Sequence, residues 1–399
     1  MATSHDTSLR TDLLARAKAL VPALASRAAT AERLRRVPDE TIAEIRAAGL
    51  YRVVGPAAFG GLEQDYDLLL EIIMILAGAC ASTGWVYAIA AGQQWLAANL
   101  PLEAQRDLWG LDPDAVTCGS FPPAGVGRAV TGGWRVSGRW DFCSGCDSAQ
   151  AAILGARLPP AHGDGAAEPH LFLAPAHDFA IEDNWYTVGL AGTGSKIVVL
   201  DDVFVPAHRA MPVARMGRCR EPGEVAHAQP IYRLPMMSCV PSVFAAVALG
   251  AAKGAIAAFI RGTRDRATRG GVEGTRAPVA GFAGVQMRVA EALASVDAGE
   301  TILLRDNRNA IAILRAGGIL TTEDRIAIRR GQAFAARMAA QAITALAGAL
   351  GVPGIFSDDP VHRAQRDVTA ACRHIGLNWD AISALVGQHA LGIEPKGNY

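Results

Sequence analysis

Val136–Ser148, VSGRWDFCSGCDS, and Trp185–Arg209, WYTVGLAGTGSKIVVLDDVFVPAHR, decide how the rest of this chain is read. Each runs along a β-strand and carries a small polar knot where strand meets turn: Ser144-Gly145-Cys146 in the first, Gly192-Thr193-Gly194-Ser195 in the second. Glycine lets a ligand lie close against backbone, and short hydroxyls supply hydrogen bonds without bulk. Two such knots in a β-rich middle point to a flat, polar-edged cofactor held by a small β-domain between helical regions.

The flanks fit that frame. Val116–Ser120, Trp134–Trp140, Ala151–Arg157, His170–Pro175, Phe179–Trp185 and Ile197–Val205 are short β-branched or aromatic runs separated by Gly, Pro, Asp and Asn. They read as antiparallel strands of a sandwich or barrel, with 158–169 as an exposed hairpin loop. Before them, Leu9–Arg27, a helix opening at Pro38-Asp39-Glu40, Asp67–Cys80, a segment capped by Ser82-Thr83 and running through Trp85–Asn99, and a short stretch from Pro101 to Trp109 carry helical signals. After them, long apolar faces predict four helices near Met236–Arg266, Phe282–Ala316, Thr322–Leu350 and Arg363–Leu391. Four such helices make a bundle. The fold class is α+β: an N-terminal helical domain (1–115), a middle antiparallel β-domain (116–225) and a C-terminal four-helix bundle (226–399).

Composition narrows the function classes. The 399 residues can bury a large core, and Lys+Arg and Asp+Glu balance at 38 each, so no global field draws nucleic acid or an anionic membrane. Seven scattered cysteines, an odd number, and an N-terminus without an apolar leader stretch predict reduced thiols in the cytoplasm. Ser242–Ile260 is apolar enough to suggest a membrane span, but it is Ala/Gly-rich and broken by Lys253, which reads as a buried helix. Its Ala245–Ala257 face also suits the packing of one bundle on another in an oligomer.

The order helical, β, helical, with these segments in place, resembles the acyl-CoA dehydrogenase fold over nearly the whole chain. Ser120-Phe121-Pro122-Pro123-Ala124-Gly125 stands where that family has T-E-P-x-A-G, and Gly138–Ser144 where it has G-x-K-x-W-I-T. Gly189–Ser195 and Asp201–Pro206 match its next two elements. The variants SGRWDFCSGCD, GTGS followed by DDVFVPAHR, and QRDVTAACRHIGLNWD are similar to the oxygenase branch, the two-component flavin monooxygenases that hydroxylate phenols. The chain departs from the family at Phe121, in place of the Glu of T-E-P, and at Ala191, where the branch often has Arg. No glutamate can be assigned as a dehydrogenase base.

This resemblance implies reduced FAD or FMN delivered by a separate NAD(P)H-dependent flavin reductase, and O2 as co-substrate. The two would form a flavin C4a-hydroperoxide that must be kept from losing hydrogen peroxide. It implies Ser144 as the hydroxyl near flavin N5, with Ser120, Phe142, Gly192, Thr193 and Ser195 as further cofactor contacts. Ser120 is also a substrate contact. It implies His374, on the last bundle helix, as the group that deprotonates a substrate or manages the peroxide proton. Gln93 and Trp95 would line the substrate pocket, with Gln93 where phenol hydroxylases often carry a histidine. The substrate is then a phenol or an indole-type ring, from which no phenolic proton need be removed. Arg264, Arg266 or Arg269 would bind the flavin phosphate of a neighbouring subunit, Arg264 being the candidate chosen, in a homo-oligomer expected to be a tetramer. An acyl-CoA dehydrogenase, or an N- or S-oxygenase on the same scaffold, is the alternative. Cys143-x-x-Cys146 lacks a second pair or a His at zinc spacing, so no metal site is expected. Gly192-x-Gly194 is followed by a strand, unlike a dinucleotide fingerprint.

Overall fold

The computed structural model describes residues 4–160, 165–268 and 276–399. Five helices come first: α1 (Ser4–Leu34), α2 (Asp39–Ala47), α3 (Tyr66–Ala79), α4 (Ala81–Ala97) and α5 (Leu102–Trp109). α3 and α4 are separated by Cys80 alone, whose extended backbone (φ −153°, ψ 111°) ends one helix and opens the next. Ser82 and Thr83 therefore lie inside α4 and do not cap it.

The middle of the chain is one seven-stranded sheet: β1 (Thr117–Val130), β2 (Gly133–Cys143), β3 (Ala151–Leu158), β4 (Glu168–Pro175), β5 (Ala180–Glu182), β6 (Lys196–Pro206) and β7 (Ala210–Pro212), in the order β5-β6-β2-β1-β3-β4-β7. Every pairing is antiparallel except β1 with β3, which is parallel. β1 outruns its expected end at Ser120. It continues through Pro122-Pro123, but its register against β3 shifts between Ser120 and Pro123, where proline has no N–H to donate. The expected strand over 179–185 shrinks to β5, and β7 carries no sequence signal of its own.

Side chains alternate across the sheet. Ala152, Leu154, Phe172 and Ala174 join Trp134 and Trp140 in a core on one face, where the Trp140 and Phe172 rings meet at 5.9 Å. Their neighbours Ile153, Leu171 and Leu173 face the helices and merge with the helical core.

The C-terminal part contains α6 (Met236–Arg264), α7 (Ala283–Arg315), α8 (Thr322–Ala347), α9 (Pro360–Ala371) and α10 (Trp379–Ala390). α6 is long and apolar enough to cross a membrane, but 72% of its most apolar window is buried inside the protein. Its small-residue face is used within the chain. A Cβ on Gly254 would stand 1.9 Å from the Gly78 carbonyl oxygen of α3, so the two backbones cross at a distance that only glycine permits.

The expected fourth helix is two, broken over 372–378. The break is side-chain driven: the His374 ring accepts the Gly376 N–H, and Asn378 Oδ1 accepts the Ala381 N–H to cap α10. His374 thus sits on a turn and not in a helix. That correction places its ring at the functional site.

Candidate functional site

A cavity of about 1040 Å³ opens between α4, the ends of β1 and β2, the 185–195 loop, the start of α6 and the end of α9 with the turn that follows it. α4 contributes Trp85, Ala88, Ile89, Gly92, Gln93 and Leu96. This is the i, i+3, i+4, i+7, i+8, i+11 face of one helix. The lining is mostly apolar, and among the described residues no Asp, Glu or Lys takes part.

The β-side wall carries a chain of buried hydroxyls. Trp85 Nε1 donates to Ser144 Oγ at 3.0 Å, Ser144 Oγ lies 2.6 Å from Ser195 Oγ, and Ser195 Oγ lies 2.7 Å from Thr193 Oγ1. Thr193 Oγ1 in turn donates to the Leu190 carbonyl at 2.9 Å. A carbonyl only accepts and a hydroxyl has one proton, so the direction of the whole chain is fixed. Thr193 donates to Leu190, Ser195 to Thr193, and Ser144 to Ser195. Ser144 is left with a lone pair.

Two residues beside this chain hold left-handed backbone conformations without being glycine: Phe142 at φ 65° and Leu190 at φ 52°. Strain of this kind persists only where neighbours enforce it. The Leu190 N–H donates to Asp367 Oδ1 of α9 at 2.6 Å, and its carbonyl also accepts from Trp185 Nε1 at 3.1 Å. Asp367 is buried, which pushes its carboxyl up to about 6, against the stabilising Leu190 N–H. Phe142 is exposed at the rim and meets the Trp185 ring edge-on at 6.1 Å.

The opposite wall holds Gln93, whose Oε1 accepts the Thr117 hydroxyl at 2.6 Å. That contact turns the Gln93 amide N–H groups away from Thr117, and Nε2 has no protein partner among the described residues. The Tyr66 hydroxyl, also in the lining, is buried without a partner. His374 packs its ring on Phe244 at 4.0 Å and near Trp85 at 6.0 Å. Burial first, and the positive charge of Arg329 second, push it down to about 4, so it is neutral at physiological pH. Its Nδ1 accepts the Gly376 N–H at 3.1 Å, so the neutral ring carries its proton on Nε2. In this state His374 presents an N–H donor at Nε2.

Ser120, Phe142, Ser144, Thr193, Ser195, Gln93 and His374 all line the one cavity, although they come from five separate parts of the chain. Three expected residues lie elsewhere. Trp95 is fully buried on another face of α4, with Nε1 donating to the Ile231 carbonyl at 2.6 Å. Gly192 abuts α1, where a Cβ would come within 2.9 Å of the Ala31 backbone. Arg264 is exposed at the end of α6, outside the lining. Arg266 donates to the Ala349 and Leu350 carbonyls beyond α8, and Arg269 lies outside the described residues. Sequence reasoning missed Trp85, Tyr66, Leu190 and Asp367. Trp85 could have been found by extending the helical spacing back from Gln93.

The cavity suits a planar heterocycle. It offers an apolar slot, an oriented hydroxyl at one edge, an unpartnered phenol in the wall and aromatic rings at the rim.

Comparison with known proteins agrees. The family described as acyl-CoA dehydrogenase, C-terminal domain, matches residues 242–379. The oxygenase component of FADH(2)-dependent resorcinol hydroxylase from Rhizobium sp. (strain MTP-10005) is 43% identical over 97% of this chain and 96% of its own. The crystal structure of 3-HSA hydroxylase from Rhodococcus sp. RHA1 superposes with a TM-score of 0.90 at 31% identity, covering 97% of this chain and 98% of that one. XiaF from Streptomyces sp., solved with FADH2 and glycerol, gives 0.91 at 30% identity over 99% and 98%. The chain belongs to the flavin-dependent monooxygenases, as the oxygenase component of a two-component system that uses reduced flavin and O2 to hydroxylate an aromatic ring.

Proposed function

We propose that the substrate is a small phenol of the resorcinol type and that the preferred flavin is FADH2. The observation that carries this reading is a predominantly apolar cavity without Asp, Glu or Lys, in which Gln93 and His374 both offer N–H groups suited to a phenolic oxygen. The similarity to a resorcinol hydroxylase supports the same class. Reduced flavin, when bound, supplies with O2 the oxygen that the ring takes up. One oxygen atom replaces a ring hydrogen as hydroxyl, the other leaves as water, and the two electrons come from the flavin.

The chain's own residues bind, orient and exclude water. Ser144, its proton committed to Ser195, would offer its free lone pair to the flavin's N5 edge. Thr193 and Ser195 hold the Ser144 rotor, Phe142 would pack beside the ring system, and Ser120 would contact flavin or substrate. Trp85, Phe244 and the α4 face keep the slot dry, which disfavours loss of hydrogen peroxide. Arg264 is proposed to meet the flavin phosphate of a neighbouring protomer in a homotetramer. Exposed Phe282, Met287, Leu293, Ile355 and Phe356 on the C-terminal part support an oligomer. Seven free cysteines support a cytoplasmic location. We place the domain divisions near 115, just before β1, and near 225, in the connection between β7 and α6. An acyl-CoA dehydrogenase needs a base to remove an α-proton, and no carboxylate lines this cavity among the described residues.

The test is to mix the protein anaerobically with FADH2 and resorcinol, admit O2, and read product mass and hydrogen peroxide. A product heavier by one oxygen atom supports the reading. Complete return of the electrons as hydrogen peroxide with every phenol tried would refute it, and bleaching of bound oxidised flavin by an acyl-CoA would favour the dehydrogenase.

A further inference from the structure

Arg329 of α8 is buried, yet no carboxylate pairs with it among the described residues. Its Nη1 donates to Gln332 Oε1 at 2.6 Å and its Nη2 to the Gly376 carbonyl at 2.9 Å, while its Nε–H has no partner. Gln332 in turn donates to Ser242 Oγ and to the Met237 and Ser238 carbonyls. Every contact the guanidinium makes is therefore to a neutral group. A buried, uncompensated charge is expensive, and proteins retain it where something answers it. Arg220 and Arg233 are also buried on carbonyls, but they belong to the segment before α6 and do not reach this cavity.

Gly376 links Arg329 to the site. Its carbonyl accepts from Arg329, its N–H donates to His374 Nδ1, and both Gly376 and His374 line the cavity. The other charged groups around this turn give no counter-charge. Arg373, exposed at the rim, is also positive, Arg366 pairs with Glu32, and Asp367 is held by the Leu190 N–H. α4 and α6 present only the neutral Trp85, Pro241 and Phe244 here. Among the described residues, the charged groups on the 374–376 turn's two sides, Arg329 and Arg373, are both cations. Gln93 cannot take up a proton, and His374 Nδ1 is occupied.

We infer that Arg329 is a positioning residue that answers a bound phenolate from behind the 374–376 turn, holding His374 with its Nε2–H toward the phenolate oxygen. The cavity then selects the substrate in its ionised form, its proton released to the buffer on binding, without a base in the wall. This inference rests on the reading of the cavity as a phenol site.

The experiment uses 4-nitrophenol, whose absorbance near ~400 nm reports its own ionisation, titrated against pH on the whole protein. In the wild type the bound probe should ionise about one pH unit or more below the free probe, the size expected of a nearby positive charge. Arg329→Met should abolish most of that shift, and Arg329→Lys should retain it. The wild-type titration stands even where a variant fails to fold. A bound probe that titrates as it does in free solution overturns the role of Arg329 while leaving the phenol site intact. A shift that survives unchanged in Arg329→Met does the same. No binding of the probe or of resorcinol would remove both the inference and the phenol reading.

Discussion

The backbone N–H of Leu190 donates to the buried carboxylate of Asp367, joining a left-handed residue of the β-side loop to the helix that precedes His374. Through Leu190 the same bond supports the hydroxyl chain, because the Leu190 carbonyl is the acceptor on which that chain ends. One side chain on α9 thus braces both walls of the cavity.

Asp367→Asn keeps an acceptor for the Leu190 N–H and removes a buried charge. Burial raises the folded carboxyl from its ordinary 3.8 to about 6, so its contribution to stability is full below the unfolded value and is lost as pH rises through about 6. The wild type should therefore lose stability between pH 4 and 6 relative to Asp367→Asn. At pH 7.5 the variant should be the more stable, by on the order of 2 kcal/mol. Asp367→Ala, which frees the Leu190 N–H, should be destabilised at both pH values. Denaturant midpoints across pH give the comparison, and parallel curves for wild type and Asp367→Asn would count against it.

Ser144→Ala removes the acceptor of the Trp85 indole and the donor to Ser195. Coupling should fall several-fold, measured as hydroxylated product per flavin oxidised, with the balance appearing as hydrogen peroxide. Thermal stability should drop by about 1–2 kcal/mol for the lost buried hydrogen bonds. Unchanged coupling would remove Ser144 from the chemistry.

Gln93→Leu takes away the amide donors and leaves the Thr117 hydroxyl without its partner. We expect kcat/KM for resorcinol to fall roughly 10- to 100-fold, the cost of about 1.5–3 kcal/mol of lost polar contact. Peroxide formation without substrate should not change. An equal loss for a ring lacking a hydroxyl group would show that Gln93 acts by packing.

Trp95→Phe gives the contrasting outcome. The indole holds the Ile231 carbonyl away from the cavity, so stability should fall by about 1–2 kcal/mol. KM and coupling should stay within about twofold, an energy difference of less than half a kcal/mol. A selective change in KM would return Trp95 to the substrate pocket.

The helix–sheet–helix order was legible because hydrophobic periodicity is local and long helices repeat it many times. The polar knots were legible because glycine and short hydroxyls at strand ends have few other uses. What escaped depends on contacts distant in sequence. Trp85 and Trp95 lie on one apolar helix, and their residue type does not say which faces the cavity; position on the helix does. The break before α10 rests on His374 acting as a cap, yet an uninterrupted apolar pattern reads straight through it. Asp367 and Arg329 look like ordinary charged helix residues until the fold buries them. β1 escaped for the opposite reason: Pro122-Pro123 signal an end, and the strand simply absorbs them as a register shift.

The fixed direction of the hydroxyl chain has a consequence for turnover. Every hydroxyl proton between Ser144 and Leu190 is committed inward, so whatever lies against that wall meets lone pairs only. If the flavin's N5 edge lies there as proposed, a reduced flavin would bring an N–H that these lone pairs can accept, whereas an oxidised one would bring a bare nitrogen and set two acceptors against each other. A wall of this kind would favour the arriving redox state over the departing one, and in a system whose flavin is exchanged with a separate reductase such a preference would give each catalytic cycle a direction.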